Sequence, residues 1–218
     1  MKLTKLYDNR FDEKEKERKN ALWKVLCSSF FQQYISEEAY VLDVGAGFCE
    51  FINNITCREK YAIDLNENIS SYANPDVHVT HGALEDFSIT HSGIFDIVFM
   101  SNFLEHLRSK ENVLQVLAES YRLLKNNGCI LVMQPNIRYL YREYWDFFDH
   151  HIPISDKSLV EALKLTGFII ELVIPRFLPY TTKSRLPQYP AFVKAYLKIP
   201  FAWKLFGKQA FVIGKKHV

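Results

Sequence analysis

A glycine-rich turn that directly follows an apolar run constrains the fold of this chain more than any other feature. Residues 41–51 read VLDVGAGFCEF. Gly45 and Gly47 allow backbone conformations with positive φ and let a ligand lie close against the main chain. A helix beginning near Phe48 would present free N–H groups to an anionic group of that ligand. The pattern predicts a strand, a ligand-binding turn and a helix, which is the first unit of an open α/β sheet.

Strand-like and helix-like runs alternate after this turn. Strands are predicted at 40–44, 60–64, 77–80, 95–100, 129–133, 168–174 and 210–214, and helices at 11–34, 48–56, 66–72, 111–125 and 156–166. Several strands are almost continuously apolar, which is typical of parallel strands covered by helices on both faces. The alternation predicts a doubly wound α/β fold in one domain. We divide it into an N-terminal helical segment (1–39), a ligand-binding core (40–174), an insertion (175–208) and a last strand (209–218).

Size and composition limit the alternatives. With 218 residues, 48% hydrophobic and 24% charged, the chain has the composition of a globular protein with one sizeable core. No apolar run reaches the ~18 residues that a membrane-spanning helix needs. The first 20 residues lack the apolar segment of a secretory signal, so a cytoplasmic location is expected. The four cysteines form no CxxC pair, and we expect neither disulfides nor a bound metal.

Two carboxylates accompany the glycine-rich turn. Asp64 ends the second predicted strand, where a carboxylate can bind both hydroxyls of a ribose. A dinucleotide-binding fingerprint would need glycine at position 50, but Glu50 stands there and would repel a pyrophosphate. Asp43 lies two residues before Gly45, where its charge suits a cationic group of a ligand. These residues disfavour a dinucleotide as the ligand.

Four motifs in order give the chain a specific resemblance to a known family. The segments LDVGAGFCEF, YAIDL, FDIVFMSNFLEHL and LLKNNGCILVMQPN are similar to motifs of the class I S-adenosylmethionine-dependent methyltransferases, and the resemblance covers about residues 41–174. It implies a seven-stranded Rossmann-like sheet with strand order 3-2-1-4-5-7-6, the last strand antiparallel. It also implies S-adenosylmethionine as the cofactor.

The resemblance also assigns a set of cofactor-binding residues. They are Asp43, Gly45, Ala46, Gly47, Asp64, Leu65, Ala83, Leu84 and Asn102. Two positions depart from the family pattern. Cys49 occupies the usual third glycine of the first motif. Ala83 stands where the family often has the carboxylate that binds the adenine amino group, and Glu85 or Asp86 is the candidate replacement.

The acceptor is expected beyond the carboxyl ends of the fourth and fifth strands. His106 belongs to a run shared by relatives with unrelated acceptors, so a structural or cofactor-side role is expected for it. Residues 138–151 are rich in aromatic, acidic and imidazole groups. In this stretch His150 or His151, oriented by Asp146 or Asp149, is the predicted catalytic base. The alternative is that the aromatic residues are core and the histidine pair caps the next helix.

The C-terminal end of the chain is strongly basic. Nine of the 27 Lys and Arg residues, and none of the 25 Asp and Glu residues, lie between residues 172 and 218. The insertion at 175–208 mixes these cations with aromatic residues and prolines. Five interpretations stay open: a cap over the acceptor, a dimer surface, a peripheral contact with anionic lipid, an RNA-binding surface, or a solvated cationic segment without a ligand.

The sequence as a whole predicts an S-adenosylmethionine-dependent methyltransferase that O-methylates a small-molecule or glycan-like acceptor, including an anionic or lipid-linked one. An RNA methyltransferase and a non-catalytic cofactor-binding subunit are the alternatives. DNA is not expected as a partner. The chain has no Asn-Pro-Pro-Tyr run for exocyclic base amines and no cysteine motif for carbon-5 chemistry.

Overall fold

The computed structural model describes residues 13–180 and 189–217. Seven strands form one sheet: β1 (Tyr40–Val44), β2 (Glu59–Asp64), β3 (Val77–His81), β4 (Phe95–Ser101), β5 (Leu124–Pro135), β6 (Phe168–Ile174) and β7 (Gln209–Lys216). Their order is β3-β2-β1-β4-β5-β7-β6. Strand β7 runs antiparallel to β5 and β6, whereas the other neighbours are parallel. The predicted fold class, strand order and antiparallel last strand are confirmed.

Helices cover both faces of this sheet. They are α1 (Glu13–Ser29), α2 (Leu84–Thr90), α3 (Lys110–Leu123), α4 (Ile137–Leu140), α5 (Asp156–Leu165), α6 (Pro190–Leu197) and α7 (Pro200–Phe206). Apolar side chains of α1, α6 and α7 pack in the core on one face, and those of α2, α3 and α5 pack in the core on the other. Within the described ranges, no helix is long and apolar enough to cross a membrane.

Two predicted helices are wrong. Segments 48–56 and 66–72 contain only single 3-10 turns, at Ile52–Asn54 and Ile69–Ser71. Cys49 has a φ of 58°, which is incompatible with a right-handed helix at the start of the first segment. The side-chain amides of Asn53 and Asn54 donate to the carbonyls of Tyr72 and Glu50. Such bonds between side chain and backbone compete with helix formation.

Other boundaries differ less from the predictions. The described part of the predicted helix 11–34 consists of α1, which ends at Ser29, and a 3-10 turn at Phe31–Tyr34. Helix α2 was not predicted. Strand β5 begins at Leu124, five residues earlier than expected, and Asn127 within it has a φ of 65°.

The described part of the insertion is held together by hydrogen bonds between its two ends. The Tyr196 hydroxyl donates to the Phe177 carbonyl (2.6 Å), and the Trp203 indole N–H donates to the Tyr196 carbonyl (2.9 Å). The Arg176 guanidinium donates to the carbonyls of Gly207 and Leu205 at 2.9 and 2.7 Å. These bonds fix α6 and α7 relative to the segment that directly follows β6. Residues 181–188, including Lys183 and Arg185, lie outside the described residues.

Candidate functional site

A cavity of about 680 Å³ lies at the carboxyl ends of the central strands. Two groups of residues form most of its wall. The first, called here the glycine side, comes from the ends of β1, β2 and β3: Val44, Gly45, Ile63, Asp64, Leu65, Gly82, Ala83, Leu84 and Glu85. The second, called here the histidine side, follows β4 and β5: Phe103, His106, Leu107, Arg108, Phe148, Asp149 and His151.

The glycine side is built largely from backbone geometry. Gly45 and Gly47 have φ values of 69° and 55°. The Asp64 carboxylate accepts hydrogen bonds from the N–H of Gly47 (2.8 Å) and the N–H of Asn66 (2.7 Å). One bond falls on each carboxylate oxygen, so each oxygen keeps lone-pair capacity for a further donor. The arrangement can bind a vicinal diol at the cavity wall.

Six of the nine predicted cofactor residues line the cavity: Gly45, Asp64, Leu65, Ala83, Leu84 and Asn102. The other three, Asp43, Ala46 and Gly47, stand outside its lining. Asp43 is buried, and burial followed by the charges of Glu50 and Asp64 raises its pKa well above the ordinary range. A cationic group beside Asp43 would favour its ionised form.

The histidine side contains an imidazole–carboxylate pair. His106 belongs to the 3-10 turn Leu104–His106 directly after β4. Its Nδ1 lies 2.9 Å from the backbone carbonyl oxygen of Asp149 and 3.3 Å from the carboxylate of the same residue. With the proton on Nδ1, the lone pair of Nε2 is available as a base, and this nitrogen lies 4.0 Å from the carboxylate of the buried Glu105. Such a pair is suited to accept a proton from a bound acceptor.

The predicted catalytic residues are distributed differently. His151 is exposed and lines the cavity, and its backbone N–H donates to the Glu105 carbonyl (2.8 Å). His150 is buried, with Nε2 3.2 Å from the Tyr180 hydroxyl. Asp146 is exposed in the 3-10 turn Tyr144–Asp146 and is not part of the lining. The structure therefore brings His151 to the same wall as Asp149, and it does not bring Asp146 there.

Glu105 lies among the residues after the fourth strand, where the acceptor was expected, but the sequence assigned no role to it. It is 1% exposed, and neither carboxylate oxygen has a hydrogen-bond partner among residues 13–180 and 189–217. Burial raises the pKa of Glu105 to about 7, the His106 charge opposes this shift and the Asp149 charge adds to it. The available signal in the sequence was a carboxylate in the segment FLEHL, directly after a predicted strand.

Glu105, His106 and His150 also form a cluster that could share a cation. Each offers one ligand atom, and these atoms lie within 4.8 Å of one another. His106 Nδ1 already contacts Asp149, so only its Nε2 is available as a ligand atom. The expectation that the protein has no metal stays a prediction.

Comparisons with known proteins agree with this geometry. Residues 42–132, from β1 to β5, match a family described as Methyltransferase domain. A SAM-dependent methyltransferase from Archaeoglobus fulgidus superposes with a TM-score of 0.68 at 19% identity, covering 90% of this chain and 94% of that one. One from Methanosarcina mazei gives 0.62 at 16% identity, covering 86% and 97%. No curated protein matches the chain.

A third structural neighbour is a chain of the complex between the Haloferax volcanii Trm112 methyltransferase activator and a proposed methyltransferase. It has a TM-score of 0.68 at 14% identity and covers 95% of both chains. At these identities the structural neighbours establish the fold. Together with the strand order, they show the fold of the class I S-adenosylmethionine-dependent methyltransferases. The matched methyltransferase domain indicates an enzyme whose cofactor is S-adenosylmethionine, in agreement with the resemblance.

Proposed function

We propose that this methyltransferase transfers the methyl group to a hydroxyl of a small-molecule or glycan-like acceptor. The observation that carries the proposal is the His106–Asp149 pair, which lines the same cavity as Asp64. A hydroxyl is a weak nucleophile that needs a base to take its proton, and a positioned base contributes typically ~10²–10⁴-fold.

The glycine side is the proposed cofactor site. The Asp64 carboxylate receives the ribose hydroxyls, and Leu65, Ala83 and Leu84 enclose the adenine. Glu85 lines the cavity whereas Asp86 is not part of the lining, so Glu85 is the better replacement for the missing adenine-binding carboxylate.

The methionine end of the cofactor is assigned to the turn after β1 and the first residues after β4. Asp43 lies near the end of β1, Gly45, Ala46 and Gly47 form the turn after it, and Asn102 follows β4. Asn102 has a φ of 48°, and its side-chain oxygen has no hydrogen-bond partner in the described part of the chain. A donor such as the cofactor ammonium or a water bound to it would satisfy that oxygen.

The histidine side is the proposed acceptor site. The bound cofactor supplies an electrophilic methyl group, so the protein mainly aligns the acceptor and removes its proton; alignment contributes at most about 7–11 kcal/mol. His106 Nε2 takes the proton while the Asp149 contact holds Nδ1–H and stabilises the imidazolium. Arg108 lines the same wall and suits an acceptor that carries a phosphate or carboxylate.

His151 is the second candidate for the base, because it also lines the cavity. His150 and Asp146 are weaker candidates for a part in the proton transfer. The first is buried beside Tyr180, and the second is exposed in a turn away from the lining. Since four side chains compete for this role, each requires its own alanine variant.

An acceptor screen tests the proposal. Formation of S-adenosylhomocysteine is measured with hydroxylated sugars, lipid-linked glycans, small aromatic alcohols and total RNA, and the methylated product is located by mass spectrometry. We expect turnover with a hydroxylated non-RNA acceptor and a methyl ether as the product. Turnover only with RNA, or methylation only at nitrogen or carbon, would contradict the proposal.

A further inference from the structure

The two C-terminal helices carry a concentration of exposed apolar side chains. Among the described residues, 14 large hydrophobic side chains are exposed, and six of them lie between residues 189 and 206. Three lysines on these helices and their junction are exposed as well. The apolar–basic surface consists of Tyr189, Phe192, Ile199, Phe201, Leu205 and Phe206 with Lys194, Lys198 and Lys204. A patch of this kind is typical of an interaction site.

The inner side of the same helices is already packed. Leu197 is buried, and Val193, Tyr196 and Trp203 pack against the core beside α1 and β7. Trp203 lies edge-on to Phe30 and Phe177, with ring centroids 5.9 and 5.3 Å apart. The exposed side chains therefore occupy the face that the fold leaves open, and the packed face holds it in position.

The charge of the surface is unbalanced. Lys208 and Lys215 form ion pairs with Glu143 (2.6 Å) and Glu171 (3.5 Å). In contrast, Lys194, Lys198 and Lys204 have no carboxylate within ion-pair distance in the described part of the chain. No Asp or Glu occurs from Leu172 to the end of the sequence. Among the described residues, no ion pair neutralises the three lysines that accompany the exposed apolar side chains.

We propose that the apolar–basic surface docks on an anionic lipid bilayer. Aromatic and aliphatic side chains on one face of a helix enter the interfacial region, and lysines beside them attract anionic headgroups. Exposed apolar side chains and exposed lysines alternate along residues 189–206 of this chain. The docking does not depend on the identity of the methyl acceptor.

Two other occupants fit the surface less well. A symmetric dimer would place this patch against its own copy, so the three lysines would face lysines without any acidic residue of the segment to pair with them. RNA binding uses stacking on aromatic faces, whereas Ile199 and Leu205 offer aliphatic surface that bases do not stack on. A bilayer accommodates both the aliphatic groups and the cations.

The apolar–basic surface is connected to the histidine side of the cavity by an ion pair. Glu143 lies in the segment between α4 and Phe148, and its ion pair with Lys208 joins that segment to the end of α7. Phe148, which lines the cavity, is 85% exposed, and Trp145 is 54% exposed. An enzyme held at a bilayer by its C-terminal helices would thus meet acceptors that are themselves at the lipid surface.

Vesicle flotation with the full chain tests the docking. The protein is mixed with neutral phosphatidylcholine vesicles or with vesicles containing 30 mol% phosphatidylglycerol, and the bound fraction is measured against lipid concentration at low and high salt. We expect binding to the anionic vesicles and weak binding to the neutral ones. The triple variant Lys194→Gln/Lys198→Gln/Lys204→Gln should lose on the order of a hundredfold in affinity. Phe192→Ser/Phe201→Ser should lose at least about tenfold.

Matched variants control for surface composition and folding. Lys110→Gln/Lys157→Gln/Lys164→Gln removes three exposed lysines elsewhere, and Ile89→Ser/Leu165→Ser removes two exposed apolar groups elsewhere. Both should bind vesicles like the parent protein, and circular dichroism should show all variants folded. Equal binding by the test and control variants would overturn the proposal. So would absence of vesicle binding, or dimerisation or RNA binding that depends on the same residues while lipid binding does not.

Discussion

The two sides of the cavity are built by different physical means. On the glycine side the main interactions are backbone N–H groups and a carboxylate 17 residues away, as in the bond from Gly47 to Asp64. On the histidine side, His106 meets a residue 43 positions further along the chain. The first arrangement follows from the turn and needs few particular side chains. The second depends on how a long connection folds back, so it can differ between relatives that share the same sheet.

The electrostatics of the two sides differ in the same way. Asp64 has backbone donors on both oxygens, whereas Glu105 is buried without any hydrogen-bond partner in the described ranges. A buried carboxylate without hydrogen bonds is costly unless it takes up a proton. The glycine side is therefore a stable recognition site, whereas Glu105, next to His106 of the histidine side, changes its protonation near neutrality.

The largest expected effect is on catalysis at the histidine side. His106→Ala should lower kcat by ~10²–10⁴-fold for a hydroxyl acceptor, because the proton acceptor is lost. The affinity for S-adenosylmethionine, measured by calorimetry, should stay within about threefold. His151→Ala, His150→Ala and Asp146→Ala are the matched variants. A drop in kcat confined to His151→Ala would move the base to that residue, and full activity in all four would remove the imidazoles from the chemistry.

The second effect concerns the contact between the two sides. A Cβ at Gly45 would overlap the Phe103 ring, and the φ of +69° adds backbone strain. Gly45→Ala should therefore destabilise the fold by roughly 2–5 kcal/mol. Gly47→Ala is the control, since its φ is +55° but nothing lies within 4 Å of the added carbon; it should cost only about 1–2 kcal/mol. Urea unfolding of both variants measures the difference, and equal losses would contradict the steric argument.

The glycine side could be predicted from the sequence because its determinants are local. The apolar strands, the two glycines and the carboxylate at the end of β2 specify the turn within about 25 residues. The helices at 48–56 and 66–72 were predicted wrongly because apolar spacing does not show that Asn53 and Asn54 bond to the backbone instead. Local patterns therefore located the strands better than the segments between them.

For the histidine side, the sequence predicted the types of residue involved but not which of them are in contact. The residue types in 138–151 indicated imidazole and carboxylate chemistry, but the choice between Asp146 and Asp149 depends on where the loop meets the turn after β4. Asp149 contacts His106 because the backbone N–H groups of His151 and Ile152 bond to the Glu105 carbonyl and hold the loop there. No periodicity in the sequence encodes that pairing.

The third effect is a pH dependence of stability caused by Glu105. Its pKa is about 7 in the folded protein and is ordinary in the unfolded chain, so the folded state holds the proton more tightly. The contribution of this group is fully present below about pH 4.5 and is lost as pH rises to about 7, by up to ~3 kcal/mol. Glu105→Gln should remove this decline and be more stable than the parent above pH 7. Unfolding curves at pH 5 and pH 8 measure it, with the exposed Glu161→Gln as control; parallel pH profiles for parent and Glu105→Gln would refute it.

The smallest effect tests the glycine side by itself. Asp64→Ala removes charge-assisted hydrogen bonds to the cofactor, each worth ~1.5–3 kcal/mol, which corresponds to about a ten- to hundredfold weaker affinity for S-adenosylmethionine. The substitution also leaves the N–H groups of Gly47 and Asn66 without their partner, so some stability is lost as well. Asp64→Asn separates the two effects because it keeps an acceptor oxygen for one N–H but not the negative charge. Asp76→Ala removes a mostly exposed carboxylate at the other end of the neighbouring strand and should leave the affinity unchanged. Calorimetric titration of the three variants decides the matter: if Asp64→Ala and Asp64→Asn bind the cofactor like Asp76→Ala, the carboxylate only supports the turn and the ribose lies elsewhere.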